Sequence, residues 1–140
     1  MELANAASIA LRRRIGWIDT DAAGIYHWTT ACRLAEEAES ALHTALGIVD
    51  ITFGAMPRAN VNFDFRNALR FNEPVDVILR VEHLGRTSVR YAMSIERDGT
   101  LAVQGAITAV FVSRENWRPA PWPDELRLAL AEGGAQTELR

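Results

Sequence analysis

Two aspartates separated by one residue lie in a short segment whose residue types suit hydrolytic chemistry. In residues 17–30, Asp19 and Asp21 follow an apolar stretch, Gly24 allows the chain to turn, and a helix pattern begins within about one helical turn. A carboxylate can act as a nucleophile or as a general base. The first N–H groups of a helix lack intrahelical acceptors, so they can stabilise an anion that forms beside them. The segment therefore combines a base or nucleophile with a possible oxyanion site.

Both aspartates also have a structural alternative. An aspartate just before a helix commonly caps it, because its carboxylate accepts hydrogen bonds from the exposed N–H groups of the first turn. We expect this capping role for Asp19 and a catalytic role for Asp21. Spacing alone does not separate the two roles, and the distinction rests on the family resemblance described below.

A helix is predicted directly after this segment, over residues 31–46. Its apolar residues recur every three or four positions, which is the period of one buried helix face, and charged residues fall largely between them. Gly47 then provides the stop. A face made almost entirely of alanine requires a partner that packs very close to it. The residues of this face are Ala31, Ala35, Ala38, Leu42 and Ala45.

Much of the rest of the chain carries the alternation of apolar and polar residues that is typical of strands. The last such segment, residues 101–112, is apolar on both faces, as expected of a central strand or of one buried at a subunit contact. Asp98 and Gly99 before it predict a tight hairpin. The predicted strands cover residues 9–18, 58–66, 75–81, 89–95 and 101–112.

The C-terminal part is predicted to contain a proline-rich segment and a short helix over residues 117–132, followed by a disordered tail after Gly134. We expect a single domain over residues 1–140, with its core over residues 9–113. The order of strand, long helix, four strands and short helix favours an α+β fold in which an antiparallel sheet wraps around one central helix.

The composition argues against several functional classes. A net charge of −3 gives no global field that would favour nucleic acid. No apolar run is long enough to span a membrane, and no signal peptide is visible, which predicts a cytoplasmic protein. The single cysteine, Cys32, excludes an internal disulfide and is expected to be packed and inert, and the three histidines are too scattered to suggest a metal site.

Four sequence features occur together: an Asp-Thr-Asp-x-x-Gly turn at residues 19–24, a Tyr-His pair at residues 26–27, a helix rich in glutamate and alanine, and a Phe-Asn-Glu-Pro-Val-Asp strand entry at residues 71–76. With these features, residues 9–113 resemble the hotdog-fold acyl-CoA thioesterases of the 4-hydroxybenzoyl-CoA thioesterase type. The resemblance implies a hotdog fold and a homodimer, often a homotetramer, with sites at the dimer interface. It also implies hydrolysis of an acyl-CoA thioester without a metal or organic cofactor.

The resemblance further implies roles for individual residues. Asp21 corresponds to the catalytic carboxylate, Gly24 to the turn glycine, and the backbone N–H of Trp28 to the group that polarises the thioester carbonyl. Relatives often place a histidine at the Trp28 position, whereas the Tyr-His pair comes one residue earlier here, so no catalytic histidine is transferred. The substrate-binding candidates are Tyr26, His27, for which a structural role is the alternative, Glu36, and Arg86 for the CoA phosphates.

Three other functions share parts of this pattern. Hotdog hydratases carry a histidine five residues after an aspartate in a motif that contains Asn-Pro, whereas His27 lies six residues after Asp21 and the dipeptide is absent, which argues against hydration. A thioesterase acting on acyl-carrier protein would use the same carboxylate. A non-catalytic acyl-binding module would keep the pocket without a competent carboxylate. These last two stay open as alternatives.

Overall fold

The computed structural model describes residues 3–139, which form six strands and three α-helices. None of these helices is long and apolar enough to cross a membrane. In chain order the elements are β1 (Ser8–Arg14), α1 (Trp28–Leu46), α2 (Val49–Thr52), β2 (Arg58–Phe65), β3 (Pro74–Leu84), β4 (Ser88–Arg97), β5 (Thr100–Val110), α3 (Asp124–Glu132) and β6 (Ala135–Gln136).

The strands form one sheet in the order β2-β5-β4-β3-β1-β6. Neighbouring strands are antiparallel, except that β6 runs parallel to β1. β5 lies between β2 and β4, which confirms the prediction of a central strand. Asp98 and Gly99 form the predicted hairpin between β4 and β5, and both adopt positive φ angles, 50° and 79°.

α1 packs its alanine face against the sheet, as the sequence predicts. Ala31, Ala35, Ala38 and Leu42 are fully buried there, and the small alanine side chains let the helix lie close to the strands. The helix begins three residues before the predicted start and ends at Gly47, whose left-handed conformation (φ 72°) closes helix ends of this kind.

The first strand is shorter than predicted. β1 ends four residues early, and Trp17–Asp19 form a 3₁₀ turn in place of the last strand residues. The Gly16 N–H donates to Asp19 Oδ2 at 2.7 Å and closes this turn. As a result, Trp17 and Ile18 are 79% and 90% exposed, although strand alternation predicted a buried Trp17.

Two further predictions are wrong. The tail after Gly134 is not disordered, because β6 pairs with β1 and Arg13 Nη2 contacts Glu138 Oε2 at 2.6 Å. The sequence after the two glycines shows no apolar period that would have indicated this pairing. Cys32 lies on an exposed part of α1 and is not a packed thiol, since the buried face of the helix is narrower than its apolar sequence pattern indicated.

β2 lies at one edge of the sheet and has one neighbouring strand, β5, within residues 3–139. Its apolar side chains are poorly covered, and Val61 and Phe65 are nearly half exposed. An edge strand with exposed apolar side chains is suited to pairing with another chain. The single chain therefore leaves open a surface that a dimer could bury.

Candidate active site

Asp21 lies on a closed turn between β1 and α1. Thr20 and Tyr26 pair as a short antiparallel bridge at the base of this turn. The Asp21 N–H donates to the Ile25 carbonyl at 2.8 Å, and the Gly24 N–H donates to the Asp21 carbonyl at 3.0 Å. Gly24 has a φ of 79°, which residues with a side chain rarely adopt. These backbone bonds hold Asp21 at the exposed tip of a well-defined turn.

The Asp21 side chain is exposed, and it forms no ion pair within residues 3–139. Its Oδ1 accepts a hydrogen bond from the Ala23 N–H at 2.8 Å, a contact inside the same turn. A carboxylate that no cation occupies is accessible to act as a nucleophile or as a general base. The geometry therefore leaves Asp21 available for chemistry.

The first turn of α1 supplies the second group that the sequence predicted. His27 is the N-cap residue, and its Nδ1 accepts a hydrogen bond from the Thr29 N–H at 3.2 Å. In the neutral ring the proton then resides on Nε2. The Trp28 N–H, one residue into the helix, finds no acceptor within residues 3–139. A free N–H at a helix N-terminus is a donor for a developing negative charge.

Asp19 plays a different part from Asp21. Its side chain is only 4% exposed and pairs with Arg33, whose Nη2 lies 2.7 Å and whose Nε lies 3.1 Å from Oδ1. The Asp19 carbonyl accepts hydrogen bonds from the His27 N–H at 2.6 Å and from Thr30 Oγ1 at 2.9 Å. Asp19 therefore joins the base of the Asp21 turn to α1. Neither aspartate caps α1, so the predicted helix cap is wrong for Asp19.

The Asp19–Arg33 pair is one end of a longer row of alternating charges. Arg33 Nη1 also donates to Glu37, Glu37 Oε1 accepts from Arg13 Nε at 3.1 Å, and Arg13 forms two bonds to Glu138 in the tail. Bonding to Glu138 raises the pKa of Arg13 and keeps it charged. The row links the turn that carries Asp21 to the C-terminal segment beside β1.

The structure brings together most of the predicted site residues. Glu36 lies on α1 roughly two turns beyond Trp28. Arg86 follows β3 at the opposite end of the sheet, because the Asp21 turn follows Arg14, the partner of Pro74 at the start of that strand. Within one chain Arg86 is thus remote from Asp21. The residues that meet at the turn and at the start of α1 are Asp21, Gly24, Tyr26, His27 and Trp28.

Tyr26 has a buried hydroxyl with no hydrogen-bond partner within residues 3–139. Burial raises the pKa of Tyr26, so the hydroxyl stays protonated and can donate. Its ring lies 6.0 Å from that of Phe65, at the end of the edge strand β2. No group of three or more potential ligands within residues 3–139 is arranged to hold a metal ion.

A second polar cluster lies at the other end of α1. His43 is buried, with Nδ1 at 2.8 Å from Thr52 Oγ1 and Nε2 at 2.7 Å from the Tyr91 hydroxyl. Burial lowers the pKa of His43 and raises that of Tyr91. Arg58 pairs with Glu39 at 2.8 Å at the edge of a cleft of about 500 Å³. Both ring nitrogens of His43 are therefore engaged in hydrogen bonds.

Sequence reasoning missed two features of the Asp21 region. Arg33 was assigned to the polar side of the helix, and nothing local indicates its bond to Asp19, fourteen residues away. The exposed Trp17 and Phe71 rings lie 5.5 Å apart in an edge-to-face arrangement. Gly16, directly before Trp17, could have indicated the early end of β1, since glycine permits the chain to leave the strand.

The comparisons with known proteins agree on the family. The family model of the thioesterase-like superfamily matches residues 14–130. The chain belongs to the thioesterase-like superfamily. This membership confirms the recognised family and the predicted enzyme class, a thioesterase. A comparison with curated proteins finds no match to this sequence.

Solved structures of the same fold cover nearly the whole chain. A predicted thioesterase from Bacillus stearothermophilus shares 24% identity with a TM-score of 0.83, over 93% of this chain and 98% of its own. A 1,4-dihydroxy-2-naphthoyl-CoA thioesterase from Synechocystis shares 17% identity (TM-score 0.80, 88% and 95% covered). A gentisyl-coenzyme A thioesterase shares 24% identity (TM-score 0.77, 87% and 99% covered). These similarities confirm the predicted hotdog fold.

Proposed function

We propose that this chain hydrolyses an acyl-CoA thioester to a free carboxylic acid and CoA, with Asp21 as the catalytic carboxylate. The observation that carries the proposal is an exposed carboxylate on a fixed turn that leads into a helix; within residues 3–139 this carboxylate forms no ion pair and the first N–H of the helix has no acceptor. The superfamily supports thioester cleavage in general. The names of two structural neighbours support CoA as the thiol carrier.

In the proposed reaction the Trp28 N–H polarises the thioester carbonyl and stabilises the oxyanion that forms on attack. Asp21 either attacks the carbonyl carbon, which gives an anhydride that water then opens, or removes a proton from an attacking water. In both routes the C–S bond breaks and the CoA thiolate leaves. A thiol pKa of about 8.5 makes the thiolate a good leaving group, so the site needs no strong general acid.

The substrate-binding residues extend this proposal. The buried Tyr26 hydroxyl and the Nε2–H of His27 are donors near the turn that a bound substrate could use. Glu36 lies about two helical turns beyond Trp28 on the same helix. Arg86 lies at the opposite end of the sheet, so its predicted contact with the same substrate requires a second chain.

We also propose that the active unit is at least a homodimer. The uncovered β2 edge, with Val61 and Phe65 exposed, supports this assembly. The Tyr26 ring lies beside Phe65, so pairing along β2 would bring a partner close to the Asp21 turn. Light scattering at micromolar concentration should show a dimer or a tetramer, and a monodisperse monomer would contradict this part of the proposal.

The reaction is tested by a hydrolysis screen on the wild-type protein. Thiol release is followed for acyl-CoA thioesters of varied length and aromaticity, beginning with aromatic acyl groups because two neighbours act on such substrates by name. Release from at least one acyl-CoA is expected. Tight binding without release would favour the acyl-binding module, and release from acyl-carrier protein alone would favour the carrier-protein thioesterase.

A further inference from the structure

An aromatic surface lies next to the Asp21 turn and has no assigned role. Trp17 and Phe71 contact each other edge to face, with 5.5 Å between their ring centroids, and both are exposed. Ile18 beside them is the most exposed large apolar residue of the described chain. Contiguous exposed apolar surface of this kind marks a binding site more often than a solitary residue does.

The backbone beneath this surface is firmly held. The Asn72 N–H donates to the Ile15 carbonyl at 2.7 Å, and the Ile15 N–H donates to the Glu73 carbonyl at 3.0 Å, so the turn of Phe71 is bonded to the segment that leads into Trp17. The 3₁₀ turn of Trp17 is closed by Asp19, which is itself fixed by Arg33. The two rings are therefore presented on a preformed surface, which lowers the entropy cost of binding.

Arg70 adds a positive charge at the same place. It lies before Phe71 in sequence, and its backbone bridges to Ile25 in the Asp21 turn. Its side chain is exposed and forms no ion pair within residues 3–139. The carboxylate of Glu73 in the same turn pairs with Arg97 at 3.1 Å and accepts a hydrogen bond from the Arg70 backbone N–H at 2.6 Å. The guanidinium is thus available for an anionic ligand.

We propose that Trp17, Arg70 and Phe71 form the subsite for the nucleotide end of CoA. The adenine base packs on the aromatic rings, and Arg70 binds a phosphate. Flat bases pack well on exposed aromatic side chains, and the planar guanidinium matches phosphate oxygens in a bidentate geometry. This inference rests on the proposed function, because it concerns the carrier of the thioester that Asp21 cleaves. It places the nucleotide on the same chain as Asp21, whereas Arg86 requires a partner subunit.

The charge and shape of this surface favour a nucleotide over a carrier protein. The guanidinium of Arg70, next in sequence to Phe71, and the two aromatic rings match the phosphate and the base of a nucleotide. The other exposed arginine of this region, Arg14, donates from Nη1 to the Asn72 carbonyl at 2.8 Å and supports the turn instead. A broad basic surface that would complement an acidic protein is therefore not what these residues offer.

The test compares two substrates that differ only in the nucleotide. KM and kcat are measured for an acyl-CoA and for the same acyl group on N-acetylcysteamine, in wild type and in Trp17→Ala, Arg70→Ala and Phe71→Ala. Each variant should raise KM for acyl-CoA by about tenfold, the scale of one lost base-packing or phosphate contact, and leave its kcat unchanged. KM for the truncated thioester should not change in any variant.

Two matched controls come from the opposite end of the sheet. Trp117 is 62% exposed and is followed by the exposed Arg118, so Trp117→Ala and Arg118→Ala remove the same residue types from another exposed place. Neither control should alter KM for acyl-CoA. A KM rise in Arg86→Ala with none in Arg70→Ala would overturn the inference. An equal rise in KM for both thioesters in Trp17→Ala, Arg70→Ala and Phe71→Ala would also overturn it.

A binding measurement separates this inference from the proposed function. Isothermal titration with CoA itself needs no turnover. Arg70→Ala and Phe71→Ala should each raise the dissociation constant for CoA by about tenfold. If wild type cleaves neither thioester but the two variants lose CoA affinity, the proposed reaction fails while the nucleotide subsite stands. If thioesters are cleaved and CoA affinity is unchanged in both variants, the subsite is wrong.

Discussion

Two polar clusters lie at opposite ends of α1, and they differ in what they leave free. At the N-terminal end, Asp21 is exposed without an ion pair and the Trp28 N–H has no acceptor within residues 3–139. At the C-terminal end, His43 and Tyr91 are buried and bond each other at 2.7 Å. Shifted pKa values occur at both ends, for Tyr26 at the first and for His43 and Tyr91 at the second, and burial is the main cause of each. A shifted pKa alone therefore does not identify the reactive end of this helix.

The two ends of α1 satisfy their polar groups in different ways. Around Asp19 and Asp21, backbone hydrogen bonds fix the turn, whereas within residues 3–139 the Asp21 carboxylate has no ion pair and the Trp28 N–H has no acceptor. Around His43 the side chains bond one another, and both ring nitrogens of His43 are engaged. We infer that the first end is built to position reactive groups and the second to stabilise the fold. The variants below test this division.

Among substitutions that keep Asp21 in place, Arg33→Met has the largest expected effect. It leaves the Asp19 carboxylate buried with the Gly16 N–H as its remaining hydrogen bond within residues 3–139, and losing one partner of such a pair costs about 3 kcal/mol of unfolding free energy. kcat should fall as well, because the Asp21 turn loses one of its links to α1, the Asp19–Arg33 pair. Urea denaturation and steady-state kinetics measure the two effects.

The control for Arg33→Met is Arg12→Met. Arg12 pairs with Asp76 at 3.0 Å on the exposed side of the sheet, and exposed pairs contribute about 0–1 kcal/mol. Arg33→Lys should restore part of the stability, because it keeps the charge and loses the second bond to Asp19. Equal stability of Arg33→Met and Arg12→Met would show that Asp19 does not depend on Arg33.

Tyr91→Phe should have an intermediate effect, on stability alone. The change removes the hydroxyl that bonds His43 Nε2 and leaves that buried nitrogen unpaired, at a cost of about 1–3 kcal/mol. kcat and KM should stay at wild-type values, because the residue belongs to the structural end of α1. If kcat fell while the melting temperature stayed unchanged, the reactive groups would lie at the His43 end of α1 and not at the Asp21 end.

The smallest expected effect is the pH dependence that His43 contributes. Burial lowers the pKa of His43 in the folded protein, with Glu39 opposing and Arg58 reinforcing the shift. Below the unfolded value of about 6.5 the unfolded chain therefore binds a proton that the folded chain does not, so stability falls as pH decreases, by at most about 1.4 kcal/mol per unit. Urea unfolding at pH 7.5 and 5.5 should show a smaller fall in His43→Gln than in wild type. An equal fall in stability in the two proteins would show that His43 does not contribute to this pH dependence.

Periodicity was sufficient for α1 and for β3, β4 and β5, because each buries one continuous apolar face or lies inside the sheet. It failed at Trp17, where a hydrogen bond between Gly16 and Asp19 ends the strand early. It also could not separate Asp19 from Asp21. The partner of Asp19 is Arg33, fourteen residues away, and a pattern read along the chain does not report such contacts.

The sequence also did not predict which residues strand pairing brings close to Asp21. Arg86 lies in a turn whose sequence resembles a phosphate-binding position, but the strand register places it at the far end of the sheet from Asp21. Phe71 was noted only as part of the strand entry at residues 71–76, and the backbone bridge between Arg70 and Ile25 brings Arg70 and Phe71 to the Asp21 turn. Strand pairing, which the sequence does not give at residue level, decides both cases.

The most direct test of the account is the pair of variants Asp21→Asn and Asp19→Asn. Asparagine keeps the size of the side chain and removes the anion, so Asp21→Asn should bind substrate and lose about 10²–10⁴-fold in kcat if Asp21 acts as a general base. Asp19→Asn should lose its ion pair with Arg33, and with it stability, while its kcat falls far less. The fold of both variants is checked by circular dichroism. Near-normal kcat in a folded Asp21→Asn, or loss of kcat in Asp19→Asn alone, would contradict the assignment of the reaction to Asp21.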